Sequence, residues 1–182
     1  VAHCISTHAV SNEYDYFTAV DDCSADDNAG AGHLGTVEFN SSTLYRYSTV
    51  NIAELMENGL SIDEVCDVLS GYLEAFIKAM PTGKQNTFAN RTLPCFTYVT
   101  IREDQPINMA GAFEKAVTGN GKGYEKDSID AFLEYTKKVY ENYAEYPKKS
   151  FVVCLDDVNT EAERVKMKDL ARLVEKEIRN YN

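Results

Sequence analysis

Residues 14–52, YDYFTAVDDCSADDNAGAGHLGTVEFNSSTLYRYSTVNI, constrain the possible folds more than any other stretch of this chain. A strand-like run over residues 1–10 leads into it, and a second, over 38–48, leads out. Between them two apolar or aromatic clusters, Tyr16-Phe17-Thr18-Ala19-Val20 and Leu34, flank a small-residue acidic tip from Ser24 to Gly32. Strand, arm, tip, arm, strand is the pattern of a long excursion from a sheet. An arm so thin has no core of its own, so its apolar side chains need cover from elsewhere. Either the arm folds back on its own domain or it clamps a partner.

The rest of the chain is ordinary globular material. Its 182 residues, 44% of them hydrophobic, suit one domain with an appendage. The chain opens on Val1 inside a strand-like run, so it is expected to be the carboxy-terminal part of a longer protein. No run of about 18 apolar residues is present to span a membrane as a helix. The cysteines (Cys4, Cys23, Cys66, Cys95 and Cys154) are odd in number, scattered and mainly in apolar surroundings. Reduced thiols in a cytoplasmic protein are therefore expected, which makes the sequons at Asn40 and Asn90 chance matches.

A net charge of −11 argues against simple electrostatic steering of nucleic acid. The charge is unevenly distributed, however. All 18 Lys and Arg lie from Arg46 onward, while seven of the 29 acidic residues precede it. The acidity belongs disproportionately to the excursion.

The residue pattern predicts strands over 1–10 and 39–48, the second presenting Tyr45 and Tyr47 on one face. Residues 51–57 read as a helical turn or a continuation of that strand. A helix is predicted over 62–80, opened by a Ser61/Glu64 capping box and stopped by Pro81-Thr82-Gly83. A polar loop over 83–91 feeds a strand over 95–101. A short helix over 108–117 precedes the glycine-rich loop 119–123. Asp127 or Ser128 is expected to cap the next helix, with Ile129, Phe132, Leu133, Val139, Tyr140 and Tyr143 on its buried face. A buried strand over 151–155 and a terminal helix opened by a Thr160/Glu163 box complete an α+β order on a mainly antiparallel sheet.

Few residues offer chemistry of their own. His3, Cys4, His8 and Cys23 fit no closed zinc site, and His3 and His8, five apart on a strand, point to opposite faces. The acidic run from Asp21 to Asp27 lacks the glycine and terminal glutamate positions of a calcium loop. Gly83-Lys84 lacks the remainder of a phosphate-binding loop. No metal, cofactor or catalytic residue is expected. Arg46 beside Tyr45 and Tyr47, together with Lys84, Gln85, Asn86 and Arg91, could stack bases and hold phosphates. The commoner alternative is that the tyrosines belong to the core and the loop is merely solvated. The residues alone leave both open.

The blocks AHCISTH, DYFTAVDD, HLGTVEFNSSTLYRYSTVNIAEL, PTGKQNTFA, NMAGAFEKAV and SIDAFLEY closely resemble the carboxy-terminal half of the CasC family. That family supplies the repeated backbone subunit of the type I-E CRISPR Cascade complex. The resemblance covers nearly the whole chain and weakens after about Tyr143. It implies an α+β, RRM-like (ferredoxin-like) antiparallel palm with packed helices. From the palm a thumb β-hairpin projects over residues 11–38. The resemblance further implies that the palm is incomplete here, with the amino-terminal half expected to be missing.

The resemblance also implies a role: a non-enzymatic subunit that binds CRISPR RNA and meets target DNA through the guide. Its other partners would be neighbouring copies of itself and the remaining Cascade subunits. Tyr16, Phe17, Thr18, Val20 and Leu34 match thumb positions that press on nucleic acid and displace a nucleotide at regular intervals. Lys84 and Gln85 match a glycine-plus-basic loop that holds RNA backbone. Two departures stand out: Tyr16 replaces a bulkier indole, and the thumb tip is longer and more acidic. The rival class is a metal-dependent nuclease or phosphodiesterase using His3, His8, Asp21 and Asp22.

Overall fold

The computed structural model describes residues 1–19 and 33–180. Its centre is an antiparallel pair, β5 (Phe96–Ile101) and β6 (Lys149–Cys154), extended by the short parallel strand β7 (Glu163–Arg164). Because side chains alternate across a strand, this sheet feeds two cores. Val99, Ile101, Phe151 and Val153 face helices α2 (Ile62–Lys78) and α5 (Met167–Arg179). Phe96 and Tyr98 face α4 (Glu125–Asn142) and the 3-10 turn Met109–Phe113. The molecule is thus helices, sheet, helices: a mixed α+β body in three layers.

The helices form where the apolar spacing asks for them. In α2, Val65, Leu69 and Ile77 are buried on one face, and Leu170, Val174 and Ile178 do the same in α5. Ser61 caps α2 as expected, its backbone N–H donating to Glu64 Oε2 at 2.8 Å. Those hydrogen bonds hold the Glu64 carboxyl below the usual range. The helix ends at Lys78 rather than residue 80, and Ala79 is already extended ahead of Met80-Pro81. Helix α1 (Ile52–Glu57) settles the ambiguity over 51–57, with Asn51 as its cap.

Several expectations are corrected. The run 1–10 contributes only β1 (Ile5–Ser6), paired antiparallel with β4 (Leu44–Tyr45). Beside it two further backbone hydrogen bonds, Ala2 N–H to Tyr47 O and Thr7 N–H to Thr43 O, extend the contact. Side chains interrupt the ladder at its end: Ser6 Oγ donates to His8 O, and His8 Nε2 accepts from the Thr43 N–H. Residues 38–39 do not begin the outgoing strand but end β3 (His33–Phe39), which pairs with β2 (Glu13–Ala19). The helix expected over 108–117 is only the 3-10 turn, since the Val117 N–H is drawn to Thr7 O.

Helix α4 starts at Glu125, ahead of the anticipated caps. Ser128 lies inside it, buried, with its hydroxyl donating to Thr7 Oγ1 at 2.8 Å. Tyr143, expected on the buried face, follows the end of that helix and is exposed. The Thr160/Glu163 box opens no helix either. Glu163 and Arg164 pair with Phe151 and Val152, so α5 begins only at Met167. Among the described residues no helix is long and apolar enough to cross a membrane.

Candidate nucleic-acid interface

Strands β2 and β3 form a two-stranded hairpin whose register runs from Glu13 opposite Phe39 to Ala19 opposite His33. Alternation divides its residues between two faces. Tyr14, Tyr16 and Thr18 share one face with Thr36 and Glu38, and all five are exposed. Glu13, Asp15 and Phe17 share the other with Gly35, Val37 and Phe39, the last three half-buried. Tyr16 is 70% exposed and Phe17 49%. The sequence grouped Tyr16 and Phe17 as neighbours; the pleat sends them to opposite sides.

Phe17 has a specific seat. Its ring lies across Gly35, its cross-strand partner, so closely that a β-carbon on Gly35 would fall 2.2 Å from Phe17 Cζ. The absent side chain therefore makes room for the ring. Leu34 has its backbone opposite Thr18, while its side chain lies outside the described residues. Val20 lies wholly outside them, as do the acidic tip and Cys23. At the hairpin base Asn40 Nδ2 donates to Asn12 Oδ1, and Asn12 Nδ2 to Glu38 Oε2.

The loop over 81–91 stands beside this base. It contains one turn of helix, α3 (Gln85–Phe88), bracketed by Lys84 (φ 57°) and Ala89 (φ 48°). These are the non-glycine residues with left-handed backbone among the described residues. The loop fastens itself: Arg91 Nη2 donates to Gln85 Oε1 at 3.1 Å and Asn90 Nδ2 to Pro81 O. Lys84 is exposed and Gln85 half-buried. Phe88 meets Phe39 edge to face, ring centroids 4.9 Å apart at 85°. The loop and the hairpin are therefore in direct contact. The sequence reading of 83–91 as a polar loop gives Phe88 no role, although a lone phenylalanine among polar residues is a signal of such a contact.

Arg46 sits at the end of α2, where the chain leads toward this loop. Its Nη1 donates to Ala79 O just past the end of α2, and its guanidinium lies 4.7 Å from the Phe76 ring centroid. The aromatic platform imagined around it is not assembled. Tyr45 packs against Phe113 and Phe132, with its hydroxyl donating to Asn108 Oδ1 and accepting from the Met109 N–H. Burial pushes its phenol up to about 12. Tyr45 is a core residue, so Tyr47 has no exposed aromatic neighbour at position 45.

His8 is held on every side. Besides Thr43 it contacts Ala9 O through Nδ1 at 2.8 Å, and its ring stacks on Tyr124 at 3.7 Å. A cleft of about 630 Å³ opens beside it, lined in part by Ser42, Lys122, Asp127 and Asp156. To bind a metal through Nε2, His8 would first have to release the Thr43 N–H. Asp21 and Asp22 lie outside the described residues. Among those described, no three His, Cys, Asp or Glu side chains gather as a metal-binding group.

The model of the CT1975-like protein family matches residues 1–176. A chain of a CRISPR RNA-guided surveillance complex, pre-nicking, superposes with a TM-score of 0.83 and 29% identity, over 97% of this chain and 54% of that one. A chain of another CRISPR RNA-guided surveillance complex gives 0.81 and 29%, over 100% of this chain and 69% of that one. The chain thus spans about half the length of the first and somewhat over two thirds of the second. No curated protein matches by sequence.

Proposed function

Because the chain belongs to the CT1975-like protein family, we propose that it is part of an RNA-holding backbone subunit of a CRISPR surveillance complex. In this reading it is a CasC-type subunit of a type I-E Cascade. Its layered body is the palm, of RRM-like descent, and the β2–β3 hairpin is the thumb. Copies line up along the guide RNA. Tyr16, Phe17, Thr18, Val20 and Leu34 wedge against nucleotides, while Lys84 and Gln85 hold the backbone and Arg46 steadies the loop's root. Base pairing of the guide with target DNA supplies sequence recognition, so the protein needs no reactive group for it.

The observation that carries the reading is the pair of exposed rings, Tyr16 and Phe17, on a hairpin that pairs with no third strand among the described residues. Exposed aromatics next to a loop carrying Lys84 and Arg91 suit a polymer with flat bases and a charged backbone. Similarity to chains of CRISPR RNA-guided surveillance complexes supports the same conclusion. The test is purification of the full-length protein with its RNA. Wild type should carry short, nuclease-protected RNA in multi-copy assemblies, and a Phe17→Ala/Leu34→Ala double variant should assemble poorly. Assemblies of the variant that match wild type in RNA content and copy number would overturn the thumb assignment.

A further inference from the structure

We infer that Phe88 is a positioning residue: through its edge-to-face contact with Phe39 it fixes the direction in which the β2–β3 hairpin leaves the body. Three observations lead there. First, among the described residues the hairpin strands pair only with each other. Residues 9–12 and 40–42, between them and the Thr7 N–H to Thr43 O hydrogen bond, carry no strand pairing and are crossed by the Asn40–Asn12 side-chain hydrogen bond. Such joints leave the hairpin free to swing unless a side contact stops it. Second, Phe39 is the last residue of β3, so a ring pressed on it acts at the root of the arm.

Third, Phe88 is held by a loop that maintains an unfavourable backbone. Ala89, immediately after it, and Lys84, four residues before it, are both left-handed, a conformation that residues with a β-carbon adopt at a cost. Strain of this kind persists where the surroundings over-determine it. Here the Arg91–Gln85 and Asn90–Pro81 hydrogen bonds do so. Phe88 itself is 42% exposed and belongs to neither apolar core. Burial therefore does not explain a phenylalanine at this position, whereas the contact with Phe39 does.

The consequence for RNA rests on the reading given above. If Lys84 holds backbone while the hairpin presses on nucleotides, the Phe39–Phe88 contact sets the distance between the two grips. It thereby keeps the spacing of displaced nucleotides uniform from copy to copy.

The experiment has two arms, both in the full-length protein. Without RNA, spin labels carried by unnatural amino acids at Thr36 and Lys137 report the hairpin-to-body distance. Phe88→Ala should widen that distribution about twofold with the protein still folded, and Phe88→Tyr should restore it. An unchanged width in Phe88→Ala would overturn the inference. With RNA, 2′-hydroxyl probing of the bound guide should show a regular pattern in wild type. Phe88→Ala should keep affinity within about threefold yet lose about fivefold in contrast of that pattern, and Lys84→Ala should weaken binding while keeping the period. A full-contrast pattern in Phe88→Ala would also overturn the inference. A widened distribution with no regular pattern in wild type would sustain the positioning role and sink the RNA reading instead.

Discussion

In the layered body Phe151, Val152, Val65 and Leu170 have lost essentially all contact with solvent, whereas on the hairpin Tyr14, Tyr16 and Phe17 keep about half or more of theirs. Both regions are rich in β-branched and aromatic residues and both pair antiparallel strands. They differ in what lies over the strands. Each face of β5–β6 has a helical layer; among the described residues β2–β3 has one aromatic contact, at its root. Burial of a large side chain is worth about 1.5–3 kcal/mol, so residues in the body account for their own presence. Those on the hairpin contribute little to the fold of the single chain and call for a function outside it.

The contrast can be broken most directly by truncation. Phe151→Ala should cost about 3–5 kcal/mol in denaturant unfolding, against a change within about 0.5 kcal/mol for Tyr16→Ala. Comparable losses would mean that the hairpin is part of the core. A smaller effect concerns Tyr45, whose phenol is raised by burial to about 12. Its contribution is fully present below the unfolded value near pH 10 and is lost as pH climbs toward about 12. Tyr45 should therefore account for up to about 1–2 kcal/mol of the loss across that window, alongside Tyr98 and Tyr140, whose phenols burial also raises. A Tyr45→Phe variant, weaker at neutral pH, should lack that part of the slope; an identical slope would refute the assignment.

Finer tests lie within the hairpin and its neighbouring loop. Gly35→Val should push Phe17 off its seat at a local cost of about 1–2 kcal/mol. Hydrogen exchange should quicken at β2–β3 amides and stay unchanged in β5–β6. Ala89→Gly should relieve left-handed strain and stabilise the chain by roughly 0.5–1 kcal/mol, read as a raised denaturation midpoint. A loss of stability there would mean that the backbone at Ala89 carries no strain.

The regions also differ in how plainly the residues announce them. Helices α2 and α5 follow from spaced apolar residues, and the Ser61 cap from its Glu64 partner, because those signals are local. The start of α5 was misplaced because β7 competes for Glu163 and Arg164, and that pairing with β6 is long-range. The strand over 1–10 was overextended because alternation cannot register Ser6 and His8 bonding to nearby backbone. At the candidate interface, the aromatic character of Tyr16 and Phe17 was legible, but not their division between faces, which needs the register. Tyr45 looked available because only the tertiary fold brings Asn108 and Met109 to its hydroxyl. The link from Phe88 to Phe39 spans the intervening helices and left no periodic trace.

The buried hydroxyl pair of Thr7 and Ser128 joins positions 121 apart in the chain. Thr7 also accepts from the Val117 N–H and donates its own backbone N–H to Thr43 O, so this one residue gathers three distant segments. A ribosome releases those segments one after another, and domains generally fold as units as they emerge. The hairpin is thus made long before this junction exists: its strands can zip together early, while the contacts gathered on Thr7 behind them close only when α4 has left the exit tunnel. The root of the hairpin is therefore completed late, from residues synthesised far apart.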